Sequence, residues 1–198
     1  NGRRNRLMPV VAQATEPIRG ALRELRPLCV SIVAPGSQDL RLFNSLLAQH
    51  HYLGHRNTVG ENLRYLVRDR QGRPVACALF GSAAWKCADR DAFLGWDRAT
   101  RERNLQRLTN NTRFLVLPWV GVPHLASHVL GLLARRIRAD WEAKYGHPVQ
   151  ALETFVERDR FQGTCYRAAN WLRLGSTQGR TRNDCAHRIR AAVKDVYL

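Results

Sequence analysis

One long helical segment between two apolar runs constrains the fold of this chain more than any other feature. The segment "PHLASHVLGLLARRIRADWEAKYG" has Pro123 at its start and Gly146 at its end, as helices often do. One face of it carries apolar residues at helical spacing: Leu125, Val129, Leu132 and Leu133. The runs "TRFLVLPWVGV" before it and "PVQALETFV" after it are typical of buried strands. This order predicts a helix that crosses over between strands of one sheet.

The remaining patterns add helices and strands on both sides of this unit. "SQDLRLFNSLLAQHHYLG" predicts a helix that ends near Gly54, and "NLRYLVRDRQGRPVACALFGSAAW" predicts a β-hairpin with Gly72 in its turn. "WDRATRERNLQRLTNN" has helical content, a short helix is expected to end at Gly175, and a strand is expected at residues 196–198. The alternation predicts an α/β (α+β) fold with a mixed central sheet flanked by helices.

Composition divides the chain into two parts of unequal length. With 198 residues, the chain is long enough for one domain with a real core. Residues 1–36 are rich in arginine, proline and glycine, and we expect a basic N-terminal arm or linker with a short helix in "EPIRGALRELRPL". We expect residues 37–198 to form a single domain.

The charge of the chain points to a polyanionic partner. Lys and Arg number 32 against 16 Asp and Glu, which gives a formal net charge of +16. Such an excess favours nucleic acid, with a basic protein that has no such partner as the alternative. A membrane is not expected as a partner, because no stretch approaches the roughly 20 apolar residues of a transmembrane helix. The basic opening lacks the apolar core of a signal peptide, so we expect a cytoplasmic protein.

The five cysteines indicate reduced thiols rather than a disulfide framework. They are scattered, odd in number and without a CxxC pair. Cys185 and His187 lack a second pair at ligand spacing, so no metal site is expected.

The segment "ETFVERDRFQGTCYRAANWLRLGSTQGR" crowds reactive and aromatic side chains between two glycine turns. Glu153 ends a buried strand and is a candidate general base. Cys165 is a candidate nucleophile if nearby arginines lower its pKa. Tyr166 and Asn170 are candidates for hydrogen bonds to a base. We predict these four as catalytic residues.

Each of these residues also has a structural alternative. Glu153 can pair with Arg113 or Arg160 in a salt bridge, and Cys165 can be a small buried thiol. Tyr166 and Asn170 can satisfy the core or cap a helix.

Aromatic and basic residues interleave in "WKCADRDAFLGWDRATRERN", as nucleic-acid recognition by stacking and phosphate contacts requires. The alternative is that Trp85 and Trp96 are core aromatics beside a solvated arginine face. The loop "GSTQGRTRND" offers N–H groups, hydroxyls and a guanidinium to a phosphate, or is a plain polar loop. The candidate nucleic-acid-binding residues are Arg90, Trp96, Arg113, Arg160, Trp171, Thr177 and Arg180.

The order of elements resembles the GNAT (N-acetyltransferase) fold, especially at "LVLPWVGVPHLASHVLGLL", where GNAT proteins have their pyrophosphate loop, and at "NWLRLGS". Further blocks, among them "GENLRYLV", "NNTRFLVLPWV" and "GTCYRAANWLRLGSTQGR", resemble the domain of the Druantia anti-phage system protein DruA and its relatives. Some of those relatives resemble parts of transposon-encoded proteins. The resemblance implies a GNAT-like scaffold and a DNA-related role in bacterial defence or in a mobile element.

The sequence therefore leaves three functions open. The first is a DNA-directed protein that modifies or acts on bases, with single-stranded or distorted duplex DNA as its partner. The second is a non-catalytic DNA-binding module that serves a partner nuclease or helicase. The third is a CoA-dependent acetyltransferase, although the loop "WVGVPHLAS" keeps Gly121 and lacks the basic residue and second glycine of the GNAT pattern. The sequence does not specify a cofactor.

Overall fold

A computed structural model of the protein describes residues 9–55, 58–179 and 192–198. Its helices are α1 (Leu22–Leu25), α2 (Gln38–His50), α3 (Ala88–Phe93), α4 (Arg98–Asn104), α5 (Leu125–Tyr145) and α6 (Thr164–Ala168). Its strands are β1 (Ile18–Arg19), β2 (Cys29–Ile32), β3 (Asn62–Arg68), β4 (Pro74–Ser82), β5 (Leu108–Val116), β6 (Val120–Gly121), β7 (Ala151–Glu157), β8 (Arg173–Ser176) and β9 (Lys194–Tyr197).

The sheet is mixed, as the sequence predicts. In the described part of the chain, seven strands form one sheet in the order β2-β3-β4-β5-β7-β9-β8, and β1 pairs with β6 in a separate parallel pair. Strands β5 and β7 are parallel and are connected through α5, which confirms the predicted crossover. Strands β2 and β3, β7 and β9, and β8 and β9 pair antiparallel.

Helix α5 is amphipathic in the way its sequence pattern indicates. A stripe of side chains at i, i+4 spacing is buried: Leu125, Val129, Leu133, Ile137 and Trp141. The helix ends at a glycine in the left-handed region, Gly146 with φ 77°, whose N–H donates to the Glu142 carbonyl.

The β3–β4 hairpin has the turn that was expected at Gly72. Gly72 has φ 81°, a conformation that costs glycine little. The Asp69 carboxylate accepts hydrogen bonds of 2.9 Å from the N–H groups of both Gln71 and Arg73. The turn is therefore fixed by its own aspartate.

The described residues fall into two compact units. The first comprises the described residues up to Leu79 together with Arg113–Leu125, and the second comprises Phe80–Thr112 and the described residues from Ala126 onward. The core of the first unit contains side chains of α2 and β3, among them Phe43, Leu46, Leu47, Leu63 and Tyr65. The core of the second contains Val129, Leu133, Ile137, Trp141, Val156 and Tyr197.

Two parts of the chain differ in detail from the elements that the sequence suggests. The short helix does not reach Gly175: α6 ends at Ala168, and Arg173–Ser176 is a strand. Asn170 has φ 64°, which is incompatible with a continuing helix. The first 36 residues contain β1, α1 and β2, and β2 pairs with β3. The domain boundary at residue 37 stays a prediction.

Candidate functional site

Glu153 lies on β7 in the second unit, and its side chain is fully buried. Its backbone is in register with Asn110 of the parallel strand β5. Oε1 accepts a 2.6 Å hydrogen bond from the Ala84 N–H, and Oε2 accepts one of 2.8 Å from Arg90 Nη1. The carboxylate is thus held in an ion pair, with Arg90 rather than either arginine that the sequence suggested.

The ion pair continues into two further charged side chains. Arg90 Nε and Nη2 donate to Asp91 Oδ1 at 2.9 and 2.7 Å, and Arg101 Nη1 donates to Asp91 Oδ2 at 3.0 Å. No more than 9% of any of these side chains is exposed. Glu153, Arg90, Asp91 and Arg101 form what we call the buried ion network. Arg90, a candidate for nucleic-acid contact, is therefore placed inside the second unit.

Burial and ion pairing act in opposite directions on the members of this network. Burial raises the pKa of Glu153 above its ordinary value, although Arg90 and the Ala84 N–H favour the carboxylate. Burial also opposes the charge of Arg90, but Glu153 and Asp91 outweigh it and raise the pKa of the guanidinium. Since donors reach both oxygens of Glu153, the geometry fits its ionised form.

Trp85 lies beside this network and is half exposed. The residue before it, Ala84, donates its N–H to Glu153 and accepts a 2.8 Å hydrogen bond from Arg90 Nη1 at its carbonyl. The central carbon of the Arg101 guanidinium is 6.0 Å from the centroid of the Trp85 ring, at the limit of a cation–π contact. The side chain keeps 48% of its surface exposed. Trp85 is thus an exposed aromatic group on a fixed backbone.

Tyr166 points inward from α6, with its hydroxyl against β5. Its O–H donates to Asn111 Oδ1 at 2.8 Å, and the Thr154 hydroxyl donates to the Asn111 carbonyl at 3.0 Å. The ring contacts Trp171 edge-on at 5.1 Å and stacks with Tyr197 at 5.8 Å. The structure thus brings two of the candidate residues, Tyr166 and Trp171, into one buried cluster.

Cys165 and Asn170 lie on either side of Tyr166 in the sequence, the first in α6 and the second just after it. Burial raises the pKa of Cys165, although the nearby Arg167 acts in the opposite direction. This is the reverse of the lowered pKa that a nucleophilic role requires. Asn170 is exposed and adopts the left-handed conformation that ends the α6 region.

Arg158, directly after β7, and Arg173 of β8 share one carboxylate. Arg158 Nη2 and Arg173 Nη2 donate to the same oxygen, Oδ1 of Asp195, at 2.6 and 2.9 Å. Their side chains remain 47% and 46% exposed. The hydrogen bond from Arg173, followed by the one from Arg158, lowers the pKa of Asp195 below its ordinary value, although burial opposes this. We call Arg158 and Arg173 the arginine pair, and no sequence pattern singled them out.

The other candidate nucleic-acid-binding residues of the second unit are dispersed. Arg160 is exposed and pairs with Glu157 at 2.8 Å. Trp96 is half-buried, and its backbone N–H donates to the Asp91 backbone carbonyl. Thr177 accepts a 3.0 Å hydrogen bond from the Lys194 N–H through its hydroxyl. Arg180 lies outside the described residues.

Arg113 belongs to the first unit, near two histidines. Its Nε donates to the Gly54 carbonyl at 3.1 Å. Burial, followed by the charge of Arg113, lowers the pKa of His51 from 6.5 to about 4. Burial also lowers the pKa of His55, with smaller effects from Arg64 and Arg113. Both imidazoles are therefore held in their neutral form.

The loop before α5, also in the first unit, uses two of its backbone N–H groups internally. The Val120 N–H donates to the Leu117 carbonyl at 2.9 Å, and the Leu125 N–H donates to the Val122 carbonyl at 3.3 Å. Pro123 has no N–H, and β6 is paired with β1. A CoA pyrophosphate is bound by N–H groups that point at the ligand. The N–H groups of Val120 and Leu125 are thus already paired within the protein, and Pro123 offers none to a CoA pyrophosphate.

Within residues 9–55, 58–179 and 192–198, no group of three His, Cys, Asp or Glu side chains is arranged to hold a metal ion. No helix in these ranges is long and apolar enough to span a bilayer.

The fold has counterparts among solved structures. It is similar to spermidine N-acetyltransferase from Vibrio cholerae in complex with CoA and spermine, with a TM-score of 0.54, 10% identity, and coverage of 86% of this chain and 92% of that chain. It is also similar to the polyamine N-acetyltransferase of Drosophila melanogaster, with a TM-score of 0.53, 13% identity, and coverage of 86% and 98%. The predicted GNAT fold is thus confirmed. At these identities the likeness shows the fold alone.

The sequence identifies the family more narrowly. No curated protein sequence matches the chain. The family model described as Druantia protein DruA matches residues 3–197. The protein is a GNAT-fold member of the Druantia DruA family, as the sequence blocks indicated.

Proposed function

We propose that this protein binds DNA through its phosphate backbone and that the arginine pair is one of its phosphate contacts. The observation that carries the proposal is the sharing of Asp195 Oδ1 by Arg158 and Arg173 while nearly half of each side chain is exposed. A DNA-directed role agrees with the anti-phage system for which the family is named, and it implies the bacterial cytoplasm as the compartment.

The shared carboxylate orients the two guanidinium groups without neutralising them. One negative charge is set against two positive charges, so a net positive charge remains at the surface. A guanidinium has five N–H donors, and Asp195 uses only some of those on each arginine. Guanidinium groups that are already positioned lose little freedom when they bind a phosphate. The pair therefore has the geometry of a preformed phosphate site.

The charge of the whole chain supports the same partner. A formal net charge of +16 attracts a polyanion at long range and makes binding depend on salt. Exposed arginines such as Arg160 and Arg98 add to this field in the second unit, although each also pairs with a glutamate.

A binding role agrees better with the site than catalysis does. Both oxygens of Glu153 accept hydrogen bonds from the protein, and the pKa of Cys165 is raised rather than lowered. In the loop before α5, two N–H groups are paired within the protein and Pro123 has none. In this account the protein holds DNA, and a partner nuclease or helicase acts on it.

A second candidate is an enzyme that transfers a group to a base. The observation that favours it is the inward orientation of Tyr166, whose hydroxyl lies against Asn111 of β5. A tyrosine O–H at a strand of the central sheet can act as a general acid. This candidate predicts a change of mass in nucleosides recovered after incubation, whereas the binding module predicts none.

Equilibrium binding tests the proposal directly. Fluorescence anisotropy with labelled oligonucleotides would compare the wild type with an Arg158→Ala/Arg173→Ala variant. We expect wild-type binding that the double variant weakens at least several-fold, since two phosphate contacts are lost. Equal affinity of the two proteins would contradict the assignment of the arginine pair.

A further inference from the structure

An exposed tryptophan is held in place by a chain of buried charges in the second unit. Trp85 is 48% exposed, whereas Glu153, Arg90 and Asp91 behind it are almost completely buried. Glu153 and Arg90 bind the N–H and the carbonyl of Ala84, the residue before Trp85. Arg90 binds Asp91, Asp91 binds Arg101, and Arg101 lies at the tryptophan ring. The network thus fixes both the backbone before Trp85 and the cation beside it.

Stability alone does not account for such a network. The desolvation of buried ion pairs costs about as much as their attraction returns, and well-packed apolar residues are often as stable. Buried charges do fix side chains in one arrangement, because a misplaced partner leaves a charge without compensation. Because the buried ion network fixes the backbone before it, the Trp85 ring is a rigid platform.

Arg101 supplies a second, independent observation. Among the described residues its side chain makes one hydrogen bond, the 3.0 Å contact with Asp91, although it is 92% buried. Its Nε is buried and has no hydrogen-bond partner in the same part of the chain. Buried donors are almost always satisfied, so a guanidinium with donors left over at an aromatic ring points to a ligand that is bound there.

Building on the proposed function, we infer that Trp85 is a stacking platform for an unpaired base and that Arg101 binds the phosphate or a carbonyl of the same nucleotide. Bases in a duplex are stacked on each other, so their faces are available to a tryptophan only in single strands or after flipping. The nucleic acid that fits this site is therefore single-stranded or locally opened.

The platform and the arginine pair lie on neighbouring elements of the same unit. Helix α3 carries Arg90 and Asp91, and it packs on β8, where Asp89 contacts Gly175. Strand β8 carries Arg173. A strand of nucleic acid that is bound by the arginine pair thus lies close to the helix that supports the platform.

Binding to two forms of one sequence tests this inference. Anisotropy at one fixed salt concentration would compare a labelled single strand with the same strand in a duplex, for the wild type, Trp85→Ala and Trp85→Phe. The matched control is Phe93→Ala, which removes an aromatic side chain that is 54% exposed at the end of α3. A fluorescent aminopurine, placed at successive positions of the single strand, would report stacking directly.

We expect Trp85→Ala to weaken single-strand binding by roughly five- to a hundredfold and to leave duplex binding within about twofold. Trp85→Phe keeps a stacking ring and should retain most of the affinity, and Phe93→Ala should behave as the wild type. Unchanged single-strand binding by Trp85→Ala, or an equal loss for both forms, would overturn the inference, as would an equal effect of Phe93→Ala. A wild type that binds neither form would instead contradict the proposed function.

Discussion

Glu153 and Arg90 form an ion pair of 2.8 Å in which neither side chain is exposed to solvent. Their bond connects β7 to α3 and fixes Ala84, the residue that precedes the exposed Trp85. The pair therefore connects strand β7, inside the second unit, to the exposed Trp85 at the surface of that unit. Glu153 is therefore a positioning residue, and we expect its substitution to act mainly by lowering the free energy of unfolding.

Glu153→Gln should lower the free energy of unfolding by about 3–5 kcal/mol, because the loss of one partner leaves a buried charge poorly compensated. Urea denaturation measures this. The matched control is Glu157→Gln on the same strand, where the partner Arg160 is 56% exposed and a loss of about 0–1 kcal/mol is expected. Equal losses in the two variants would show that the loss of one partner leaves no costly uncompensated charge in the buried ion network.

A substitution at Gly163 tests how closely the start of α6 approaches Tyr197 of β9. Its φ is 66°, and an added Cβ would overlap the Tyr197 hydroxyl, whereas at Gly146, with φ 77°, a Cβ would meet open space. Both Gly→Ala changes strain the backbone, but only the first adds overlap. We expect Gly163→Ala to cost about 1–3 kcal/mol more than Gly146→Ala in thermal or urea unfolding. If the two cost the same, the packing of Tyr197 on the start of α6 is looser than the structure shows.

The lowered pKa of His51 predicts a specific pH dependence. The unfolded chain binds this proton near pH 6.5, and the folded protein binds it only near pH 4. Stability should therefore fall as the pH drops from about 6.5 to about 4 and should lose no more from this group below that range. An NMR titration of the imidazole should give a midpoint near 4, and His51→Asn should flatten the stability profile. A midpoint near 6.5 would refute the burial of this ring beside Arg113.

Tyr166→Phe separates the binding module from the group-transfer enzyme. The change removes the buried hydrogen bond to Asn111 and should cost about 1 kcal/mol of stability. Under the proposed function, DNA binding should be unchanged, and the nucleosides recovered from wild-type reactions should keep their masses. A mass change that the wild type produces and Tyr166→Phe loses would establish catalysis. Calorimetric detection of CoA binding would then identify the donor.

Much of the fold could be predicted because its patterns are local. The i, i+4 stripe of α5 and the turn at Gly72 each depend on residues within one segment. Strand β8 could not be predicted in the same way. Leu172 exchanges hydrogen bonds with Leu198 across a long stretch of chain, and the helix before it ends because Asn170 turns left-handed. A short sequence pattern shows neither the pairing of Leu172 with Leu198 nor the left-handed conformation of Asn170.

The contacts of the candidate residues could not be predicted from the sequence, and their roles stay predictions. Glu153 stood out at the end of a buried strand and Tyr166 in a segment crowded with reactive and aromatic side chains, and the structure buries both. Their partners Arg90 and Asn111 are 63 and 55 residues away in the sequence, so spacing could not identify them. The arginine pair was missed for the same reason, since Asp195 lies 37 residues from Arg158.

The salt dependence of DNA binding counts the phosphate contacts that the arginine pair makes. Binding of a single-stranded oligonucleotide would be measured across a salt series for the wild type, for Arg158→Ala/Arg173→Ala, and for Arg135→Ala/Arg138→Ala, which removes two exposed arginines of α5. Each phosphate contact contributes about 0.7 to the slope of log K against log salt, so the first double variant should lower it by about 1.4. The second should keep the wild-type slope. A slope that is the same in all three proteins would contradict the account.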